Sequence, residues 1–439
     1  MATQTAAYSA PPTDTHGAVQ TAINACNAGD TALIDVAAGN WEFGCTTGAG
    51  NPAYSVALKS GSAGSPIAHT INGTIVADAA QFTGVQDALI GCDKKSYVTV
   101  NGSGLVNGAA MPQTEEHRHC MGMRGSDNIT IYGSSGLRFN NSGGDGIEIG
   151  PTALDLDGLR TPCTNIVIED LSCSGNRRNG ISVTSANGLR IRRCTTIRQI
   201  GTSPYSGIDL EPDENTAGYT APNQHKSVLI DCRIEDCIAY GNLGGDFYVQ
   251  LSEMSSSHAD VDVVFSGCKS LYDSTGGDPW GYVFANTPSV TVGNFDGSSV
   301  GGTVSFVNCM ASKLLYPGIY VAMELDSNVA VDFTGCILEG TAVSFDKPIH
   351  LVLTKSASGP GIRFKNVVVK ENVDRAPYAV TSPDATATNV TGNIRQVVRR
   401  WPVKTQRDSL LPNLKIGRFG RLQFSNSARS RRSAQRGEK

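Results

Sequence analysis

Charge is scarce in this 439-residue chain: Lys, Arg, Asp and Glu make up 17% of it. An average soluble domain carries about 25%, so long helices laced with salt bridges are not expected. No run of about 18 or more apolar residues occurs, which leaves no candidate for a membrane-spanning helix. The start, Met-Ala-Thr-Gln, has neither the basic residues nor the apolar core of a secretory signal, so no localisation follows from it. A G-x-S-x-G elbow, a P-loop and a dinucleotide fingerprint are also missing from any strand-turn-helix setting, which removes several common nucleophile and nucleotide sites. Cys232 and Cys237 have no His or Cys pair at zinc spacing. His225 and His258 fall in polar loop sequence, where solvated imidazoles are expected.

What the chain has instead is glycine, 49 residues of it, in keeping with many short strands and frequent turns. It also has 12 cysteines. An even number suggests a disulfide framework in a small secreted chain. In this large chain several of them recur at one place in a repeat, so they read as small buried apolar side chains. The formal charge of −4 is uneven: residues 395–439 carry a local excess of +11, which leaves −15 on the preceding residues. An acidic body argues against nucleic acid as a partner, because that grip depends on cations neutralising phosphates. The basic end, with Arg429, Arg431, Arg432 and Arg436, reads as a solvated tail.

Residues Thr15 to Ala28 place Val19, Ala22, Ile23 and Cys26 at helical spacing, start beside Asp14 and Thr15, and stop at Gly29. A short amphipathic helix is expected there, followed by a strand over Ala32–Val36; the helix would cap the open end of a repeat array. From about Tyr97 onward two strand families recur. One contains Gly146-Ile-Glu-Ile, Gly180-Ile-Ser-Val, Gly207-Ile-Asp-Leu, Phe247-Tyr-Val-Gln and Gly318-Ile-Tyr-Val, with the period-2 alternation of a strand that buries one face. The other repeats apolar residues five and three positions before a small one: Leu189, Ile191, Cys194; Val263, Phe265, Cys268; Val304, Phe306, Cys309; Val331, Phe333, Cys336. Ile362, Phe364 and Val367 continue that frame. Coils stacked at about 4.8 Å would put Phe on Phe and Cys on Cys inside a parallel solenoid.

Alternation then sends Glu148, Ser182, Asp209 and Glu211 to the outer face of one sheet. Continuing the alignment brings His119 beside Asp145, puts Arg124 at the end of the neighbouring row, and adds Arg178, Asn179, Asp213, Tyr248 and Tyr320. Acids, arginines and aromatic rings on one face suit sugars. Glycoside hydrolysis needs two carboxyl groups in opposite protonation states, and crowded acids split their pKa values in that way. The candidate catalytic residues are Asp145, Glu148, Asp209 and Glu211; His119, Arg124, Arg178, Asn179, Asp213 and Tyr248 are candidate substrate contacts. Glu148 and Asp209 would lie two coils apart, about 9.6 Å between backbones, and Asp209 and Glu211 about 6.6 Å apart along one strand. Both separations are nearer the inverting window than the retaining one. The bland alternative is that outward polar residues simply keep a strand soluble and that Asp145 caps its turn.

Gly-Gly-Asp145-Gly-Ile-Glu-Ile, Asn176-Arg-Arg-Asn-Gly-Ile-Ser-Val and Gly207-Ile-Asp-Leu-Glu-Pro-Asp resemble the pectate-lyase-like superfamily, which includes polygalacturonases, polysaccharide lyases, uronan epimerases and phage tailspikes. The resemblance implies an all-β fold, a right-handed parallel β-helix with a short N-terminal capping helix. The resemblance covers roughly Thr13 to Asn372, and the repeat pattern along the chain divides it into residues 1–45 as an N-terminal segment with the capping helix, 46–372 as the β-helix and 373–439 as a C-terminal extension with the basic tail. It implies a polysaccharide partner, and it leaves a homotrimer open. Asp145-Gly-Ile is similar to the Asp-Gly-Ile of a polygalacturonase catalytic strand, but Gly-His-Gly, an Asp-Asp pair, Arg-Ile-Lys and the Asp-Pro-His of mannuronan epimerases are absent. Because the patch is acidic and would repel polyuronates, a hydrolase needing no cofactor is expected first, a lyase or epimerase (with Ca²⁺ for a lyase) second, and a non-catalytic tailspike-like glycan receptor third.

Overall fold

A computed structural model describes residues 2–398 apart from positions 9–14, 44–53, 79–81, 83–87, 110, 112–116, 153–159, 200, 213–226, 252–253, 255–257, 272–279, 287–299, 315–316, 325–327, 341–346, 355–360, 372–375 and 382–389. Its strands form two sheets, one of 21 strands and one of 11, and consecutive coils pair in parallel. Each central coil gives one strand to the smaller sheet and two to the larger. Ile147–Gly150, Cys163–Glu169 and Ser172–Ser174 make up one such coil. This is the right-handed parallel β-helix anticipated from the sequence.

The tight turn between the two strands of the larger sheet needs a left-handed residue in every coil, and the sequence supplies one: Asp170, Arg193, Asp236, Gly267, Asn308, Gly335 and Asn366 have φ between 50° and 65°. Asp, Asn and Gly tolerate that region best. Arg193 is the exception, and its guanidinium is tied to Asp170 at 2.7 and 3.0 Å.

Inside the coils the aligned columns stack. Phe265, Phe306, Phe333 and Phe364 lie nearly parallel, with successive ring centroids 4.9, 5.0 and 5.4 Å apart. Such pairs contribute about 0.5–1.5 kcal/mol each beyond the area they bury. All eleven cysteines among the described residues are free and buried, as the repeat suggested. Cys194, Cys268, Cys309 and Cys336 form the expected column, and Cys237 fills its missing rung, because Ile234 pairs with Phe265.

A second interior column was not anticipated. Asn176, Gln199 and Asn242 are fully buried, and each side-chain oxygen accepts the backbone N–H of the preceding coil: Ser142 to Asn176 at 3.0 Å, Asn176 to Gln199 at 2.8 Å, Gln199 to Asn242 at 3.0 Å. The column ends on Asp246, whose carboxyl accepts from Asn242 Nδ2 at 2.6 Å and meets Ser270 Oγ at 2.5 Å. A buried amide row satisfies backbone groups that the corner would otherwise orphan.

Three expectations need adjustment. The helix runs Thr15–Ala25, ending before Ala28, and packs on the first strands as a cap. The solenoid starts earlier than residue 46, since Thr3–Tyr8 and Thr31–Phe43 already pair in the large sheet, with an irregularity between Asp35 and Asn40. It also continues beyond 372: Tyr378–Thr381 and Val390–Val398 add a further coil. The basic tail from Arg400 lies outside the described residues.

Candidate functional site

The smaller sheet carries the predicted patch. Glu148, Ser182, Asp209 and Tyr248 are paired in one row across four coils, and the row continues through Val283 and Tyr320 to His350. Two positions further along, Arg124 pairs with Gly150. The relationship on which the sequence reading depended therefore holds: Glu148 and Asp209 lie on the same face, two coils apart. Asp213 and His225 lie outside the described residues.

The face is not open to water in the way alternation alone implied. Asp209 is 0% exposed, Asp145 and Ser182 1%, and Glu148 9%. The side chains that reach solvent are Glu211, 30% exposed, and Arg178 and Arg124, at 16% and 13%. His258, expected in solvent, is buried as well.

Two charge clusters share this face. In the first, Arg124 Nε donates to the Glu148 carboxylate at 3.1 and 3.3 Å. Burial nevertheless raises the Glu148 pKa, opposed by Arg124. Glycines make the room: a Cβ at Gly150 would lie 2.6 Å from Glu148 Oε1 and 2.7 Å from Thr184 Oγ1, and one at Gly91 would collide with the Tyr54 ring. Tyr54 and Asp93 complete this cluster. The Tyr54 phenol is pushed up by burial and by the neighbouring Asp93, and the Asp93 carboxyl is raised by burial.

In the second cluster Arg178 donates to Glu211 Oε2 at 2.8 Å and lies 3.5 Å from Asp145 Oδ2. Asp145 Oδ1 accepts the Asn179 backbone N–H at 2.9 Å, and Asn179 Nδ2 donates to Asp209 Oδ2 at 3.0 Å. The Asp145 amide donates to His119 Nδ1 at 3.1 Å, so that nitrogen carries no proton. Burial and the nearby Arg124 hold the His119 pKa well below its usual value. His119 is neutral, and its 3.4 Å approach to Asp145 supplies no counter-charge. Burial, only partly offset by Arg178, pushes the Asp145 pKa up to about 7. Asp209 is raised well above the carboxylate range by burial first and by Glu211 second. Its Oδ1 and the Ser182 Oγ have no hydrogen-bond partner. Three acids around one guanidinium cannot all ionise cheaply.

Sequence reasoning brought His119, Arg124, Asp145, Glu148, Arg178, Asn179, Asp209, Glu211 and Tyr248 to this face. It missed Tyr54 and Asp93, which precede the recognisable repeats. The clearest local signal for them was Gly91 and Gly122, two bare positions in register. Among the described residues no cluster of three or more His, Cys, Asp or Glu could hold a metal ion.

The fold and this face define a right-handed parallel β-helix with an acid-rich sheet. No family model and no curated protein sequence matches the chain. Among solved structures it is similar to the tailspike protein of E. coli bacteriophage HK620 in complex with a pentasaccharide, with a TM-score of 0.56 and 11% identity over 88% of this chain. It is similar also to a mutant of that tailspike in complex with a hexasaccharide, with a TM-score of 0.55 and 12% identity over 89% of this chain. In each case the match spans 62% of the tailspike chain. The endo-xylogalacturonan hydrolase of Aspergillus tubingensis matches with a TM-score of 0.47 and 12% identity, over 89% of this chain and 95% of that one. These likenesses are of fold. No helix among the described residues is long and apolar enough to cross a membrane.

Proposed function

We propose that the protein binds a polysaccharide on the sheet face around Asp209 and hydrolyses it by acid–base catalysis. The observation that carries this reading is the unlike environment of two acids on consecutive outward positions of one strand. Asp209 is wholly buried and makes no ion pair, so it keeps its proton. Glu211 is partly exposed and held by Arg178 at 2.8 Å, a setting that suits a carboxylate. Asp209 then serves as the acid that protonates the leaving oxygen, and Glu211 as the base that activates water. Burial first, then the neighbouring Glu211 and Asp145, keep the Asp209 proton in place. The backbone spacing, about 6.6 Å for residues two apart, leaves room for a water and favours inversion. No cofactor is required by this scheme.

A second reading, glycan recognition without cleavage, is favoured by the complete burial of Asp209 and Asp145, which keeps both acids from a ligand lying on the outer surface. A lyase is less well supported, because both arginines that could neutralise a uronate are engaged by Glu148, Asp145 and Glu211. Incubation with a glycan panel separates the readings: new reducing ends without unsaturated products support hydrolysis, both signals together support elimination, and binding with neither supports recognition.

A further inference from the structure

We infer that the glycan taken by this face is uncharged, a neutral or acetamido polysaccharide and not a polyuronate. The inference rests on the carbohydrate reading above and adds the substrate's charge class. A binding site for a carboxylated sugar keeps at least one cation uncommitted, or committed only to water, because the fork of a guanidinium is what matches a carboxylate. Among the described residues, both guanidinium groups on the face are already paired with acids. Arg124 is bonded through Nε to both oxygens of Glu148, and Arg178 reaches Glu211 with one Nη and Asp145 with the other. His119, which lies between them, is buried and neutral, with Nδ1 occupied by a backbone amide.

A uronate carboxylate placed on this face would therefore have to share an arginine with Glu148 or Glu211, or sit beside them unpaired. Either way it meets two acids that are already half-desolvated, and like charges brought together at an interface are strongly disfavoured. An uncharged sugar meets no such barrier. Its hydroxyls can donate to Glu211 and accept from Arg178 without separating the pair, and its apolar faces fit the row continuing through Tyr248, Tyr320 and His350, where the last two rings stand edge to face at 5.5 Å.

The test uses polymers matched in backbone and linkage. Polygalacturonate, alginate and hyaluronate are each compared with their carboxyl-reduced, neutral derivatives, alongside a panel of neutral plant and bacterial polysaccharides, with binding and reducing-end release read on the full chain. The expected result is one or more neutral polymers bound or cut, with each acidic counterpart at least about tenfold weaker, and an affinity that changes little between low and high salt, since no ion pair to the ligand is screened. An acidic polymer bound or cut as well as its neutral form would overturn the inference while leaving the carbohydrate reading standing. If no polymer of either kind is bound, the carbohydrate reading fails and this inference with it.

Discussion

Arg178 donates to Glu211 at 2.8 Å while its other terminal nitrogen lies 3.5 Å from Asp145, so one guanidinium from one coil holds acids from the coils on either side. Replacing it with Gln leaves those carboxyls facing one another and Asp209 with no cation. The Asp145 and Asp209 pKa values, which Arg178 lowers, rise further, so the loss is largest where these acids must ionise. Arg178→Gln is expected to cost about 2–4 kcal/mol of stability at pH 8 and distinctly less at pH 5. Thermal unfolding at the two pH values checks this; an equal loss at both would show that the pairing contributes little.

The buried end of the amide column titrates in the opposite sense to a salt-bridged acid. Burial pushes Asp246 up to about 7 from the usual 3.8, with only Ser270 and Asn242 to offset it. The folded state therefore holds a proton that the unfolded chain releases near pH 4. This contribution is complete below that pH and is lost as pH rises through about 7, a change of about 4 kcal/mol. Asp246→Asn keeps both hydrogen bonds, with its amide donating to Ser270, and its unfolding midpoint should fall less steeply over that range. A slope identical to the parent would remove Asp246 from the account.

Catalysis, under the proposed function, depends on unlike charge at Asp209 and Glu211. Asp209→Asn and Glu211→Gln should each lower kcat by about 10²–10⁴-fold with little change in fold by circular dichroism. Turnover that survives both substitutions would place the chemistry elsewhere on the face.

The phenylalanine stack makes a prediction about the core. Phe306 lies between Phe265 and Phe333 at 4.9 and 5.0 Å, so Phe306→Ala removes two ring contacts and opens a cavity in mid-solenoid. A loss of about 3–5 kcal/mol is expected, measurable as a lower unfolding midpoint. The same experiment exposes the cysteines: the eleven buried thiols should react slowly with an aromatic disulfide reagent in the native protein, and faster in Phe306→Ala under conditions where the parent still resists.

The order of coils, the Phe and Cys columns and the gathering of Glu148, Asp209 and Arg178 on one face could all be read from the chain, because a strand alternates with period two and a parallel coil repeats at a fixed spacing. Those rules place residues that occur within recognisable repeats. They said nothing of Tyr54, Asp93 and Asp246, which lie outside the repeat or occupy positions in it that are usually apolar. Nor could alternation show that Asp209 is sealed from water, since burial depends on what packs over a face and not on which face a side chain leaves by. The protonation states of Asp145, Asp209 and His119 follow from that burial and from which guanidinium each acid meets, relationships between coils 25 to 35 residues apart in sequence that exist only once the solenoid is wound.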